Sequence, residues 1–185
     1  TEIYIHLIKE QLAKGRQVLY LLPEIALTTQ IMHRLARVFG DEMCCYHSGC
    51  ADSIRAEVWK RQCSDNPYRL VLATRSGVML PFHDLGLIIV DEEHEPSYKQ
   101  EDPAPRYHGR NTAIMLASIC GAKVLLGSAT PSLESYCNAT GGKYGLVELK
   151  ERFGNVALPA IETVDTADLM KRRYMHGLFS PRLIE

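Results

Sequence analysis

Little in the 185-residue sequence marks a specialised partner or compartment. Its 21 Lys and Arg stand against 22 Asp and Glu, a formal net charge of −1. That balance gives no electrostatic sign of a nucleic acid, so such a partner must be argued from motifs. No apolar run approaches the ~18–20 residues of a membrane span, and Thr1-Glu2-Ile3 carries no basic flank of the signal-peptide kind. Internal repeats and low-complexity tracts are absent. The six cysteines (Cys44, Cys45, Cys50, Cys63, Cys120 and Cys137) form no CxxC pair and have no histidine at finger spacing. A zinc site is therefore not expected, and reduced thiols in a cytosolic protein are. What is present, 46% hydrophobic and 23% charged residues, is the composition of a soluble globular chain of one ordinary core.

Apolar runs and helical patterns alternate along this chain. Ile5, Ile8 and Leu12 share a helical face over residues 2–14, which Gly15 ends. The spacing predicts further helices over 24–39, 51–63 and 109–120, closed by Gly40, the Ser64-Asp65-Asn66-Pro67 turn and Gly121. Between them lie short, continuous apolar strands at 18–22, 43–46, 70–73, 85–90 and 124–126. Strands apolar throughout and separated by helices predict a parallel α/β sheet covered on both faces. Thr130-Pro131 predicts an N-cap with proline in the first turn of another helix ending at Gly141-Gly142, and Leu146–Leu149 a last strand. Residues 1–150 read as one lobe and 151–185 as a tail or connection.

In open α/β sheets ligands bind beyond the carboxyl ends of the strands, so the residues just after each strand deserve the closest reading. Leu87-Ile88-Ile89-Val90 delivers Asp91-Glu92-Glu93-His94. An Asp there can hold Mg²⁺ through water while an adjacent Glu orients and deprotonates an attacking water, as nucleotide hydrolases require. An acidic pair alone is more often a solvated turn; three acids and a histidine shift the balance moderately. Val124-Leu125-Leu126 leads into Gly127-Ser128-Ala129-Thr130, whose hydroxyls can reach the acidic loop of a neighbouring strand or simply cap a helix. The Pro23–Thr28 and Thr74-Arg75-Ser76-Gly77 segments suit a phosphate or a nucleic-acid backbone and are equally compatible with capping and a surface arginine. Between Ser97 and Arg110, aromatic residues alternate with cations around Pro103 and Pro105: a single-strand-binding loop, or an exposed polar one.

Together these strings resemble a known family. Asp91-Glu92-Glu93-His94 and Ser128-Ala129-Thr130 resemble motifs II and III of superfamily-2 helicases. Pro23-Glu24-Ile25-Ala26-Leu27-Thr28, His47-Ser48-Gly49, Thr74-Arg75-Ser76 with Pro81-Phe82, Ser97-Tyr98-Lys99-Gln100 and Arg106-Tyr107-His108-Gly109-Arg110 narrow the resemblance to the bacterial primosomal replication-restart helicases over residues 1–160. The resemblance implies a RecA-like lobe of a 3′-to-5′ DNA helicase that uses ATP and Mg²⁺ at stalled forks. It further implies a cytoplasmic, nucleoid-associated bacterial protein whose partners are single-stranded and forked DNA, other primosome proteins and single-strand-binding protein, with no membrane. By resemblance Asp91 and Thr1 hold Mg²⁺, Glu92 is the general base, and His94 couples hydrolysis to Ser128 and Thr130 at the nucleotide. Pro23, Glu24, Thr28, Thr74, Arg75 and Ser76 line the DNA track, and Tyr98, Lys99, Gln100, Arg106, Tyr107, His108 and Arg110 form a DNA-sensing loop.

The sequence departs from that pattern in two places. Ala73 stands where the family usually has Gly. Thr1-Glu2 matches the end of a P-loop whose glycines and lysine are absent, so the resemblance implies a first lobe lacking its opening strand and P-loop, inactive alone. The missing strand would leave a sheet edge exposed, and pairing with another copy or low stability is expected. The second lobe, with its zinc-binding insertion, would lie outside this chain. Alternatives are a superfamily-2 translocase of repair or RNA metabolism, or a non-catalytic scaffold with a structural acidic loop.

Overall fold

The computed structural model describes residues 2–23, 29–150 and 160–184. The chain divides into two compact units, Thr1–Tyr144 and Gly145–Glu185. The first contains α1 (Glu2–Ala13), β1 (Gln17–Leu21), α2 (Thr29–Phe39), β2 (Met43–Tyr46), α3 (Asp52–Gln62), β3 (Leu70–Ala73), β4 (Leu85–Val90), α4 (Gly109–Cys120), β5 (Lys123–Leu126) and α5 (Leu133–Thr140). Five strands form one parallel sheet in the order β2-β3-β1-β4-β5.

Period-two alternation sorts the strand side chains onto two cores. Leu19 and Leu21 of β1 and Ile88 and Val90 of β4 join Val58 of α3 and Ala113 and Ala117 of α4 on one face. Val18, Tyr20, Leu87 and Ile89 meet Ile5, Ile8 and Leu12 of α1 and Leu35 and Phe39 of α2 on the other. β1, β3 and β4 are buried along their whole length, which is why, Gln17 at the start of β1 apart, they read as unbroken apolar runs. β5, at one end of the sheet, has an exposed Lys123 followed by half-buried residues. Register brings the carboxyl ends level: Leu21 lies opposite Ala73 and Val90, and Val90 opposite Leu126. Thr74, Asp91 and Gly127 therefore emerge level with one another at the same end of the sheet, Asp91 and Gly127 on neighbouring strands. A Cβ on Gly77 would overlap the Ala73 methyl, so Ala73 is accommodated because residue 77 is glycine.

Two expectations are corrected. The α5 cap is Ser132, whose Oγ accepts the Ser135 N–H at 3.3 Å and whose own N–H is held by the Glu93 carboxylate at 2.6 Å, while the Thr130 N–H donates to Ser128 Oγ at 3.0 Å. Residues 146–149 form no strand; their side chains are exposed and no β partner lies alongside them. Of the expected helix over 24–39, Thr29–Phe39 is helical, and residues 24–28 lie outside those described. In the second unit, Asp165 caps α6 (Thr166–Lys171) by accepting the Ala167 and Asp168 N–H groups at 2.9 and 3.1 Å, and α7 spans Pro181–Ile184. None of the six cysteines is in a disulfide, and burial pushes the Cys44 thiol up to about 12.

Candidate active site

Beyond Val90 the chain turns sharply and sends consecutive acids in different directions. Asp91 stays tied to the sheet, its N–H donating to Leu21 C=O at 3.0 Å. Its Oδ1 accepts the Tyr4 hydroxyl at 3.0 Å and the Glu92 N–H at 3.1 Å, and its Oδ2 accepts the Tyr20 hydroxyl at 3.0 Å. The Tyr98 hydroxyl donates to the Asp91 carbonyl at 2.8 Å. Burial first, then the Asp91 charge, pushes the pKa of all three phenols upward, so they remain donors.

Glu92 has φ +47°, a left-handed conformation costing a non-glycine residue about 1–2 kcal/mol. This kink separates the two glutamates: the Glu92 side chain is 44% exposed and that of Glu93 1%. His94 stands between Glu92 and the end of β5. Its Nδ1 is 2.7 Å from Ser128 Oγ and 3.7 Å from Glu92 Oε2, and its Nε2 is 3.4 Å from Thr130 Oγ1. The residues expected to communicate between two strand ends are thus in hydrogen-bonding reach of one another.

Glu93 anchors the turn from beneath. Its N–H donates to Gly127 C=O at 3.0 Å. Its carboxylate accepts the Ser132 N–H at 2.6 Å, the Ser132 hydroxyl at 3.1 Å, the Ser135 hydroxyl at 2.8 Å and the Arg110 guanidinium at 2.7 Å. Burial opposes the charge of Glu93. The bonds from Ser132 N–H, Arg110 and the two hydroxyls overcome that penalty and hold its pKa below the ordinary carboxylate value. Arg110 was expected on DNA; its side chain is 8% exposed because it answers this buried charge.

The segment after the acids folds back on itself. Lys99 bridges His108 antiparallel, and the Gln100 N–H donates to Tyr107 C=O at 2.8 Å. Arg75 holds its base, one guanidinium nitrogen donating to the Ser97 and Lys99 carbonyls at 3.0 and 3.1 Å. At the tip, the Gln100 side-chain amide donates to the Pro103 and Pro105 carbonyls. Lys99 and Arg106 are exposed, while Arg75, Ser76, Gln100, Tyr107 and His108 are half-buried. Tyr98, at 1% exposure, is a core residue behind Asp91 and not a stacking platform; Pro23 and Thr74 are also buried and offer no side-chain surface. Thr1, Glu24 and Thr28 lie outside the described residues.

Reading the sequence for polar strand ends missed Tyr4, Tyr20, Ser132 and Ser135. The available signal for Tyr20 was a phenol inside a doubly buried strand, whose hydroxyl must find a partner. No group of three or more His, Cys, Asp or Glu able to hold a metal occurs among the described residues. Mg²⁺ needs no such cage, since it takes one or two carboxylates together with waters and substrate phosphates. Asp91, with an open lone pair on Oδ2, and the half-exposed Glu92 fit that requirement.

The site thus joins, through His94, an acidic turn after one strand of the parallel sheet to a hydroxyl turn after its neighbour. Residues 1–138 match the DEAD/DEAH box helicase family, and the chain belongs to it. It is 42% identical over 185 residues to the Bacillus subtilis replication restart protein PriA, covering 100% of this chain and 23% of that protein. The proteins of the same name from Rickettsia conorii and Haemophilus influenzae are 45% identical over 180 residues and 44% over 183. Those matches cover 96% and 99% of this chain and 28% and 24% of the relatives. The chain therefore spans about a quarter of the length of these relatives. Among solved structures, the C-terminal part of the Fun30 ATPase domain is similar over 73% of this chain and 46% of that one, with a TM-score of 0.47 and 12% identity. No helix among the described residues is long and apolar enough to cross a membrane.

Proposed function

We propose that this chain is the first motor lobe of an ATP-dependent, 3′-to-5′ replication-restart DNA helicase. The observation that carries the reading is the His94 bridge between the acidic turn and Ser128 and Thr130. Asp91 and, by the family resemblance, Thr1 hold Mg²⁺, which when bound neutralises phosphate charge. Glu92, turned outward by its backbone, orients a water at the terminal phosphate and accepts its proton. His94 is hydrogen-bonded to Ser128 and lies 3.7 Å from the Glu92 carboxylate, so a shift of the hydroxyl turn changes the surroundings of the base.

Lys99 and Arg106 on the exposed hairpin contact the phosphates of single-stranded DNA, and Arg75, just after β3, ties the base of the hairpin to the carboxyl end of the sheet. Forked DNA, primosome proteins and single-strand-binding protein are the partners, in the bacterial cytoplasm at the nucleoid. Zinc belongs to a region outside this chain. The test is ATP hydrolysis by the intact protein with forked DNA or duplex RNA as stimulator. Stimulation by forked DNA alone is expected; stimulation by RNA alone would overturn the DNA assignment.

A further inference from the structure

An ionised carboxylate offers about four lone-pair positions. On Asp91 three are taken: Oδ1 by the Tyr4 hydroxyl and the Glu92 N–H, and Oδ2 by the Tyr20 hydroxyl. The two phenols brace each other edge to face, with ring centroids 5.5 Å apart and planes at 75°. Tyr20 is fully buried in β1, the middle strand, and Tyr4 rises from α1 on the same face. The approach of Tyr4 also depends on Gly127, where a Cβ would overlap the phenol oxygen. Two separate elements and a glycine thus converge on one carboxylate.

We infer that Tyr4 and Tyr20 are positioning residues that lock the Asp91 carboxylate in one orientation and leave it a single open acceptor, on Oδ2, for a divalent cation. The inference rests on the proposed role of Asp91 toward Mg²⁺. Hydroxyl donors suit this task because they fix the carboxylate without cancelling its charge, as a lysine or arginine would. One open acceptor matches a cation held by one oxygen or through one of its waters, and excludes bidentate chelation. Without the phenols only the Glu92 N–H would hold the carboxylate, whose broad side-chain torsion would let it present a different oxygen.

The experiment uses the intact helicase, wild type beside Tyr20→Phe, Tyr4→Phe and, as a control remote from the site, Tyr68→Phe. Mn²⁺ is the probe, titrated in the presence of a non-hydrolysable ATP analogue and followed by the electron paramagnetic resonance signal of the free ion. Loss of a group that orients a metal-binding carboxylate weakens metal binding by about 10–100-fold. A rise of about 10-fold in half-saturating Mn²⁺ is therefore expected for each site variant and none for Tyr68→Phe. The Mg²⁺ needed for half-maximal hydrolysis should rise in parallel, with turnover at saturating Mg²⁺ within about threefold of wild type if the role is positioning. Phenylalanine preserves the core packing, and DNA affinity reports that both variants fold. Mn²⁺ binding within twofold of wild type in both variants would overturn this inference alone. A wild-type protein that binds no Mn²⁺ with nucleotide would overturn the functional reading and this inference with it.

Discussion

The Glu93–Arg110 pair offers the sharpest test of how the acidic turn is held. Both side chains are nearly inaccessible, and the carboxylate collects four hydrogen bonds from the loop before α5, α5 itself and α4. Removing one partner of a buried pair costs about 3–5 kcal/mol, because the survivor stays desolvated and unanswered. Arg110→Met should cost somewhat less than Glu93→Ala: Glu93 would keep three donors, whereas Glu93→Ala strands a guanidinium together with Ser132 and Ser135. At roughly 3 °C per kcal/mol for a unit of this size, Glu93→Ala lowers the melting temperature by about 10–15 °C. The pH dependence follows from the depressed pKa of Glu93. The folded state binds the proton less readily than the unfolded chain, so the stabilisation is complete above the unfolded value of 4.5 and fades as pH falls through the lower folded value. Thermal melts of wild type, Glu93→Gln and Arg110→Met between pH 7 and pH 3 should show wild type losing its advantage only in the acid range. Equal melting temperatures at pH 7, or an unchanged acid slope in Glu93→Gln, would refute the reasoning.

Gly127→Ala should displace Tyr4 and destabilise the fold by about 1–3 kcal/mol through overpacking, measurable by urea denaturation. Lys99→Ala and Arg106→Ala in the intact helicase should each weaken single-strand binding at all sequences and reduce the salt dependence by about one phosphate contact, whereas Tyr98→Phe should leave DNA affinity unchanged. Alkylation at pH 8 followed by mass spectrometry should modify the exposed Cys63 and Cys137 well before Cys44, whose thiol is buried and pushed up to about 12.

The parallel sheet was legible because β1, β3 and β4 are buried on both faces, so their sequences are almost wholly apolar, Gln17 at the start of β1 and the Tyr20 hydroxyl being the exceptions. The glycine ending α4 at Gly121, in the left-handed conformation, was equally plain. The start of α5 was misread because Ser132 and Thr130 are both competent caps, and the choice between them is made by Glu93, a residue 39 positions away. Leu146–Leu149 has strand-like chemistry, but a strand also needs a neighbour, which local pattern does not report. At the site, the Asp91–His94 run and the hydroxyls of Ser128 and Thr130 were evident as pieces. Their distances were not, nor was the inward turn of Glu93. Arg110 and Tyr98 looked like ligands for DNA because charge and aromaticity in a loop resemble a binding surface until burial is known.

The central claim is that Glu92 performs the chemical step at this strand end. Fork-stimulated ATP hydrolysis and fork binding by the intact helicase, wild type beside Glu92→Gln, test it most directly. Turnover reduced by two orders of magnitude or more with DNA affinity retained is the predicted result, about 3 kcal/mol of lost transition-state stabilisation. Undiminished turnover in Glu92→Gln would contradict it.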